Sequence, residues 1–351
     1  MNRPRCHEGA TTMAERFTAY RIHQRDGGVA ARYEVLSLDD LSPGNVVVAV
    51  SHSGVNYKDA LAATGAGKIL RRFPLVGGID LAGRVVVSDD PRFRPGDEVL
   101  ATGCGLAETH DGGYAEVARL PGDWLVPLPP AFDGHDAMAL GTAGFTAALA
   151  IHRLEQNGLE PGAGPVAVTG ASGGVGSLAI DILAARGHHV VAVTGKDTVT
   201  DHLRSLGAAE ILPRGAIEDG GRPLEKSRFA AAIDNVGGAM AAWLTRTVAP
   251  GGSIAAVGMA GGTDLHTTVM PFIIRGVNLI GIASAQTPRA TRLMVWQRLG
   301  GDLRPRHLAR IVTQTIPFAD LPTAFAPLLA GNFVGRTVVR IGAERIGGDR
   351  R

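Results

Sequence analysis

The spacing of hydrophobic residues changes twice along this chain. From residue 17 to about residue 138, short apolar runs are separated by turns rich in Gly, Pro and Asp. This pattern is typical of a barrel-like domain that is built from short β-strands. The strands that it predicts cover residues 17–22, 45–50, 83–87, 96–100 and 115–118.

Beyond residue 138 the apolar runs alternate with segments of helical periodicity. Such alternation predicts an α/β domain with a doubly wound parallel sheet over residues 139–285. Its predicted strands cover residues 166–169, 190–193, 231–235, 253–257 and 277–282. A helix near 290–299 and a strand near 335–341 follow, and we expect this tail, 286–351, to rejoin a barrel domain at 13–138.

A glycine-rich turn follows the predicted strand 166–169, and an amphipathic helix follows the turn. This order places backbone N–H groups and the positive end of a helix where a pyrophosphate can bind. Gly173 would let the backbone approach the phosphate, and Gly176 would let the helix pack close to the strand. The predicted contacts of the turn with a dinucleotide are Ser172, Gly173, Gly174, Val175 and Gly176.

Two other sites could use the same turn. Residues 170–174 match the G-x-S-x-G elbow of serine hydrolases, but the late histidines His266 and His307 have no recognisable triad context. A P-loop would need a lysine directly after Gly176, where Ser177 stands. A dinucleotide site is therefore favoured over both, and over a turn that binds nothing.

The tip of the next strand indicates which dinucleotide binds. NAD enzymes usually carry Asp or Glu there to hold the ribose 2′-hydroxyl, whereas this chain has Thr194, Gly195 and Lys196. A hydroxyl, a backbone N–H and an ammonium group suit a 2′-phosphate, so NADPH is predicted rather than NADH. Asp197 argues against this interpretation, and Lys196 could also be an ordinary surface lysine.

Composition excludes several other functions. The 351 residues suffice for two domains, and the net charge of +2 does not favour nucleic acid or a membrane surface as partner. No apolar run reaches membrane length, and the first 15 residues lack a signal-peptide core. Met13 could be the true start, because the first predicted strand begins at Phe17. With only Cys6 and Cys104, a reducing cytoplasm is the expected location.

Several spaced motifs in this order resemble the medium-chain dehydrogenase/reductase superfamily. They lie at residues 53–59, 73–83, 93–99, 112–116 and 141–147, together with the glycine turn. The resemblance implies a GroES-like catalytic domain, a Rossmann NADPH-binding domain and a homodimer.

The zinc-dependent members of that superfamily carry Cys where this chain has Asn56, and a His-Glu pair where it has Ile79-Asp80. They also have a four-cysteine structural lobe, and this chain has two cysteines in all. No metal is therefore expected. The resemblance is to the zinc-independent, quinone oxidoreductase-like branch.

Within that branch, the amino-acid sequences of several segments resemble those of the NADPH-dependent acrylyl-CoA reductases. The segments are 54–61, 78–83, 90–93, 122–125, 222–225, 267–272 and 335–337. The resemblance implies hydride transfer to the β-carbon of a small α,β-unsaturated acyl-CoA, followed by protonation of the α-carbon. An NADPH:quinone oxidoreductase and a cofactor-binding protein without turnover stay open as alternatives.

By the family pattern, Asn56, Asp59, Asp80 and Arg336 surround the nicotinamide, and Tyr57 contacts cofactor or substrate. An amide N–H and a phenol O–H suit the enolate that forms on the thioester oxygen, and Tyr57 could also relay the proton. In the structural alternative, Asn56 caps a helix, and Asp80 pairs with Arg336 to attach the C-terminal strand to the barrel.

Further candidates lie where a dinucleotide would pass. The hydroxyls of Thr142 and Thr146 are expected on the nicotinamide side. The carboxyl ends of strands, where ligands bind in this fold, supply Asn235, Val257, Gly258, Met259 and Ser284. A basic run of Lys68, Arg71 and Arg72 either meets the phosphates of CoA or is a solvated surface.

Overall fold

The computed structural model describes residues 16–25, 27–217 and 221–342. The expectations for Cys6, for Met13 and for the end of the tail at 351 lie outside the described residues. The strands are β1 (Phe17–Arg25), β2 (Gly28–Leu36), β3 (Val46–Val55), β4 (Leu75–Val76), β5 (Asp80–Ser88), β6 (Glu98–Thr102), β7 (Val117–Leu120), β8 (Val126–Pro127), β9 (Val166–Thr169), β10 (Val190–Thr194), β11 (Glu210–Pro213), β12 (Phe229–Asp234), β13 (Val248–Ala256), β14 (Asn278–Gly281), β15 (Val312–Pro317) and β16 (Arg336–Arg340). The α-helices are α1 (Tyr57–Thr64), α2 (Gly134–Gln156), α3 (Gly174–Ala185), α4 (Thr200–Ser205), α5 (Gly238–Thr247), α6 (Met270–Arg275), α7 (Arg289–Leu299), α8 (Leu308–Ile311) and α9 (Phe325–Leu329).

The N-terminal strands form a barrel-like pair of sheets around β3. One sheet has the order β15-β16-β3-β5-β6-β8, with β7 also paired to β3, and the other has the order β2-β1-β4. β16 runs antiparallel to β3, with Thr337 opposite Val55 and Arg340 opposite His52. The chain thus returns from its C-terminal part to complete the sheet of its N-terminal part.

The middle of the chain forms a six-stranded sheet in the order β11-β10-β9-β12-β13-β14, and every pairing in it is parallel. The strand order reverses between β9 and β12, and ligands of such sheets bind at this reversal, beyond the carboxyl ends of the strands. The glycine turn follows β9 directly and therefore lies at the reversal.

The long helix α2 links the two parts and is broken at Gly141. This residue has φ 49° and ψ −150°, a backbone conformation that is essentially restricted to glycine. A Cβ at Gly141 would also lie 2.5 Å from Oδ2 of Asp80. The break frees the backbone N–H of Thr142 from helical hydrogen bonding.

One apolar core continues from the parallel sheet through α2 and α7 to the barrel. It includes Val168 of β9, Phe145 of α2, Trp296 of α7 and Leu100 of β6, all at most 1% exposed. Phe145 and Trp296 stack with their ring centroids 6.3 Å apart. In the part of the chain that the structure describes, no helix is long and apolar enough to cross a membrane.

The sequence pattern does not predict five strands of the structure, namely β2, β4, β8, β11 and β15. Most of these are very short or, like β2 and β15, have few buried residues, so no apolar run marks them. The strand predicted at 115–118 begins at Val117 instead. Ala115 forms an isolated bridge with Ala19, and the N–H of Glu116 donates to the oxygen of Thr18 at 3.0 Å, so these two residues pair with β1. Glu116 still contacts β3, because its backbone oxygen accepts the N–H of Val50 at 2.9 Å.

Candidate active site

The carboxylate of Asp80 is the centre of a buried junction between the barrel and α2. Its Oδ2 accepts hydrogen bonds from Nδ2 of Asn56 at 2.8 Å and from the backbone N of Thr142 at 2.9 Å. Its Oδ1 accepts the Thr142 hydroxyl at 2.5 Å. Nη2 of Arg336 lies 4.0 Å from Oδ2 and completes an ion pair between two buried side chains. The predicted residues Asn56, Asp80, Thr142 and Arg336 are thus in direct contact.

Both ends of the Asn56 side chain are engaged within this junction. Its Nδ2 donates to Asp80 and, at 3.1 Å, to Oδ2 of Asp59, while its Oδ1 accepts from Arg336 at 3.0 Å. Asn56 is also the N-cap of α1, and its backbone N donates to Asp59 at 2.9 Å. Two carboxylates accept the N–H groups of the Asn56 amide, so this amide is not free to donate to a ligand. The contacts indicate that Asn56 instead fixes the start of α1.

Arg336 attaches the C-terminal strand to three other segments. Its guanidinium donates to the backbone oxygens of Val55 at 3.0 Å, Ala139 at 3.0 Å and Met138 at 3.3 Å. A Cβ at Gly174 would lie 2.9 Å from Cδ of Arg336, so the arginine stem touches the first turn of α3. Burial lowers the pKa of the guanidinium.

Asp59 lies behind Asn56 and is 2% exposed. Its Oδ1 accepts the backbone N–H of Ile79 at 2.9 Å. Burial, and next the nearby charge of Asp80, raises the pKa of Asp59 from 3.8 to about 7. Burial likewise raises the pKa of Tyr114, which faces Asp59, well above its usual value. Two carboxyl groups therefore share one buried site with a single arginine, and this disfavours the ionised form of Asp59.

Tyr57 differs from the other four predicted catalytic residues because it reaches solvent. It is the first residue of α1 and is 45% exposed. Its hydroxyl makes no hydrogen bond with any residue in the described ranges. The phenol is therefore available to a ligand, and the buried junction directly before it determines where it stands.

The glycine turn has the geometry of a phosphate-binding turn. Helix α3 begins at Gly174 with Gly173 as its N-cap. A Cβ at Gly176 would lie 2.4 Å from the oxygen of Gly170, so only glycine allows this packing of helix against turn. At Gly173 the sole neighbour within 4 Å is the same oxygen, at 3.3 Å, which leaves its outer side open. Val175, in the first turn of α3, is half-buried.

Ser172 lies inside this turn and is 5% exposed. Its backbone oxygen accepts the N–H of Gly335 at 2.9 Å, which brings the C-terminal strand against the turn. His307 forms its hydrogen bond with Asp181 of α3, at 2.7 Å, and not with Ser172. This arrangement does not fit the exposed nucleophile of a hydrolase elbow.

The predicted phosphate ligands lie at the tip of β10. A further cation, which the sequence did not predict, lies at the tip of the neighbouring strand β11. Thr194 is buried, and its hydroxyl accepts the backbone N–H of Lys196 at 3.1 Å. Nζ of Lys196 donates to the oxygen of Phe333 at 2.6 Å, and partial burial lowers its pKa. A Cβ at Gly195 would lie 3.3 Å from the guanidinium carbon of Arg214, an exposed residue directly after β11. Recognising β11 in the sequence would have revealed Arg214 at the neighbouring strand tip.

The carboxyl ends of β12 and β13 meet beside the glycine turn. The Asn235 amide donates to the oxygen of Thr169 at 2.8 Å, and its buried Oδ1 has no partner among the described residues. A Cβ at Gly258 would lie 2.3 Å from the Asn235 oxygen, so the segment from Val257 to the exposed Met259 passes directly over it. An unpartnered buried acceptor at this place fits a ligand that donates a hydrogen bond.

Two further predicted hydroxyls differ in their surroundings. The Thr146 hydroxyl donates its hydrogen to the backbone oxygen of Thr142 at 2.6 Å, so its hydrogen bond is satisfied within α2. Ser284 begins the turn after β14, and its backbone oxygen accepts from the buried Arg292 at 3.3 Å. Arg292 also donates to Thr102 of β6 and lies over the Phe145 ring, 5.0 Å from its centroid. This arginine was not expected from the sequence, and it fixes the Ser284 turn against the barrel.

Comparison with known proteins agrees with this architecture. The alcohol dehydrogenase GroES-like domain matches residues 42–130, and the zinc-binding dehydrogenase domain matches residues 174–298. The acrylyl-CoA reductase AcuI of Ruegeria pomeroyi is 49% identical over 321 residues, which are 91% of this chain and 97% of that protein. The chain belongs to the medium-chain dehydrogenase/reductase superfamily.

Two other superfamily members are equally similar. The putative quinone oxidoreductase YhfP of Bacillus subtilis is 45% identical over 94% of this chain and 100% of its own length. Its crystal structure with NAD bound has a TM-score of 0.90 and covers 93% of this chain and 99% of that one. The YhdH oxidoreductase of Salmonella enterica, crystallised in complex with NADP, is 47% identical with a TM-score of 0.90 and covers 93% and 100% of the two chains. The predicted superfamily and fold class, a GroES-like domain with a Rossmann-type sheet, are confirmed.

One of the matched superfamily domains is described as zinc-binding, but the residues at the junction do not suit a catalytic zinc. Zinc sites use thiolate, imidazole and carboxylate ligands. Here an amide, Asn56, stands beside Asp80, and the guanidinium of Arg336 occupies the same carboxylate. Within the described ranges, the one group of three His, Cys, Asp or Glu residues with metal-ligand spacing lies at the start of α2: Asp133, His135 and Asp136.

Proposed function

We propose that this protein reduces the C=C bond of a small α,β-unsaturated acyl-CoA, acrylyl-CoA above all, with NADPH and without a metal. The observation that carries the proposal is that Arg336 contacts both the glycine turn and Asn56, the residue directly before the exposed Tyr57. The contacts of Arg336 support a site in which the nicotinamide of the cofactor lies close to the start of α1 and to the Tyr57 phenol. The names of the relatives at 45–49% identity support the choice of substrate.

The residues around the glycine turn fit a dinucleotide. Gly173 leaves room for phosphate at the start of α3, and the free Oδ1 of Asn235 can accept from a sugar or amide group. Lys196 and Arg214 would hold a 2′-phosphate, and for this reason NADPH is proposed even though one relative was crystallised with NAD. When bound, NADPH supplies a hydride to the β-carbon of the substrate.

The chain itself supplies binding, orientation and a proton path. Charge that develops on the thioester oxygen is stabilised most by a donor already in place, and the Tyr57 hydroxyl is the donor that the predicted catalytic set leaves free. Asn56, Asp59, Asp80 and Arg336 hold the first turn of α1 and thereby position Tyr57. We assign the proton of the α-carbon to Tyr57 or to water that enters beside it.

The decisive experiment follows NADPH oxidation by absorbance with acrylyl-CoA, with a simple quinone and with NADH in place of NADPH. Saturable oxidation with acrylyl-CoA and NADPH supports the proposal. Turnover with the quinone alone would replace it by an NADPH:quinone oxidoreductase. Binding of NADPH without turnover of either acceptor would favour a non-catalytic cofactor-binding protein.

We also propose that the protein is a homodimer through the edge of its parallel sheet. β14 is the edge strand, and the adjacent helix α6 exposes Ile273 at 77% and Ile274 at 61%. Met259 and Val269 add exposed apolar surface nearby in sequence, at 69% and 65%. Apolar patches of this kind mark interaction sites, and an unpaired edge strand can pair with a second copy.

We propose a cytoplasmic location on one observation. The sequence contains two cysteines, and Cys104, the one that the structure describes, has a free thiol. A chain that does not depend on disulfides is suited to a reducing compartment. Cell fractionation with an antibody to the protein tests this.

A further inference from the structure

Four cations lie on α1 and in the segment that follows it, and one of them is the residue directly after Tyr57. Lys58 follows Tyr57 in the first turn of α1, and Lys68, Arg71 and Arg72 lie in the segment after the helix. The chain turns at the end of α1, where the N–H of Gly67 donates to the oxygen of Leu61 at 3.4 Å. We call Lys58, Lys68, Arg71 and Arg72 the rim cations.

The turn at residues 103–110 contacts two of the rim cations and also the segment after β14. At its beginning, the N–H of Cys104 donates to the oxygen of Ala285 at 3.0 Å, across the boundary between the two domains. Near its end, the carboxylate of Glu108 pairs with Nζ of Lys58 at 2.5 Å, and its backbone oxygen accepts the N–H of Arg71 at 2.7 Å. Glu108 therefore holds Arg71 near Lys58, the residue that follows Tyr57.

Two of the rim cations already have partners. Lys58 is paired with Glu108, while Arg72 donates to the Ser42 hydroxyl and, at 2.9 Å, to the oxygen of Thr109. Arg72 also lies 4.0 Å from the Asp111 carboxylate. These contacts attach the segment to the barrel, so the two residues serve its structure.

Lys68 and Arg71 are different. Both are exposed, and neither side chain has a hydrogen bond or ion pair to a residue in the described ranges. With four cations and the two carboxylates of Glu108 and Asp111, the rim has a local charge of +2. Unpaired cations at the entrance of a cleft attract and retain an anionic ligand.

We propose that Lys68 and Arg71 bind the phosphate groups of the CoA moiety, and this rests on the proposed reduction of an acyl-CoA. The reactive thioester of such a substrate must reach Tyr57 inside the cleft, and its long pantetheine arm leaves the phosphates outside. Phosphate oxygens accept charge-assisted hydrogen bonds from lysine and arginine. A quinone has no group for these cations, so they favour thioesters of CoA over other acceptors of hydride.

The test compares acrylyl-CoA with acrylyl-pantetheine, which has the same reactive group and no phosphate. The double variant Lys68→Glu/Arg71→Glu is expected to raise the KM for acrylyl-CoA at least tenfold at low salt, at unchanged kcat. Its KM for acrylyl-pantetheine and its KM for NADPH should stay at the wild-type values. The KM for NADPH shows whether the variant affects the binding of the CoA phosphates alone or also that of the cofactor phosphates.

A matched control is Arg94→Glu/Lys226→Glu, which makes the same change in net charge at exposed cations in a barrel turn and beside the parallel sheet. It should leave all three KM values unchanged. An unaltered KM for acrylyl-CoA in the rim variant would overturn the CoA-phosphate site, and so would an equal loss with acrylyl-pantetheine. If the wild type reduces neither thioester, the proposed function itself fails, which is a different result.

Discussion

The guanidinium of Arg336 donates to the side-chain oxygen of Asn56 at 3.0 Å, although 280 residues separate them in the chain. This contact determines which way the Asn56 amide points, because a guanidinium can only donate. The amide nitrogen must then face Asp59 and Asp80, as it does. The start of α1, and with it Tyr57, is thus oriented by a strand from the other end of the sequence.

Tyr57→Phe is expected to lower kcat with acrylyl-CoA at least about tenfold, because it removes the free donor at the cleft. The melting temperature should stay the same, since the hydroxyl has no partner among the described residues. Tyr33→Phe is the matched control: its hydroxyl donates to the oxygen of Phe318, so its loss should cost about 1 kcal/mol of stability at unchanged kcat. Equal kcat for Tyr57→Phe and wild type would eliminate the phenol as a catalytic group.

The contribution of Asp59 to protein stability should fall as the pH rises from about 4 to about 7. Across this interval Asp59, whose pKa is raised from 3.8 to about 7, is protonated in the folded protein and ionised in the unfolded chain. The folded state therefore binds more protons, and the free energy of unfolding decreases by up to about 4 kcal/mol. Urea denaturation at several pH values should show a smaller decrease for Asp59→Asn. The exposed Asp89→Asn should retain the wild-type slope.

Gly141→Ala is expected to destabilise the protein by at least about 2 kcal/mol, because the new Cβ meets Asp80 and the backbone conformation disfavours any side chain. Denaturant titration measures the loss. Gly28→Ala has open space around it and no positive φ, so it should change the stability little. A fully stable Gly141→Ala would show that the break in α2 is not needed to seat Asp80.

Lys196→Ala and Arg214→Ala should each raise the KM for NADPH roughly 10- to 100-fold, because each removes a charged partner of the 2′-phosphate. The KM for NADH should not change, because that cofactor lacks the phosphate. Steady-state kinetics with both cofactors gives the ratio, and the exposed Lys226→Ala is the control. A parallel rise for NADPH and NADH would mean that these residues support the fold and not the choice of cofactor.

Ile273→Glu should convert the proposed dimer into a monomer, since it places a charge in an apolar interface. Light scattering coupled to gel filtration determines the mass. Val87→Glu alters a side chain on the barrel that is 49% exposed and should leave the mass unchanged. A dimer that survives Ile273→Glu would place the interface elsewhere, and a monomeric wild type would remove it.

How far the sequence predicts the structure differs between the two domains. The parallel strands β9, β10 and β12 are short buried runs, and burial on both faces produces continuous apolar stretches that a reader can recognise. β11 has no fully buried residue, so no apolar run predicts this strand or the position of Arg214 at its end. β2 lacks an apolar run for a similar reason.

The candidate site shows the same division. The glycine turn is local, so its spacing alone predicts its shape. The hydrogen bonds of Asn56 to Asp80 and Arg336 join β3, β5 and β16, and no periodicity reports which polar residues meet inside a fold. The sequence therefore leaves two roles open for Asn56, as a hydrogen-bond donor to the substrate and as the cap of α1. Both N–H groups of the Asn56 amide are engaged by carboxylates, which favours the capping role.

The hydrogen bond from Gly335 to Ser172 has a consequence for how the protein is made. During translation the glycine turn leaves the ribosome long before Gly335 and Arg336 are synthesised. A nascent chain can pair β9 with β10 at that stage, but its turn lacks the support of the C-terminal strand. A chain that ends before β16 is therefore expected to bind the cofactor less tightly than the full chain, because its glycine turn lacks the hydrogen bond from Gly335.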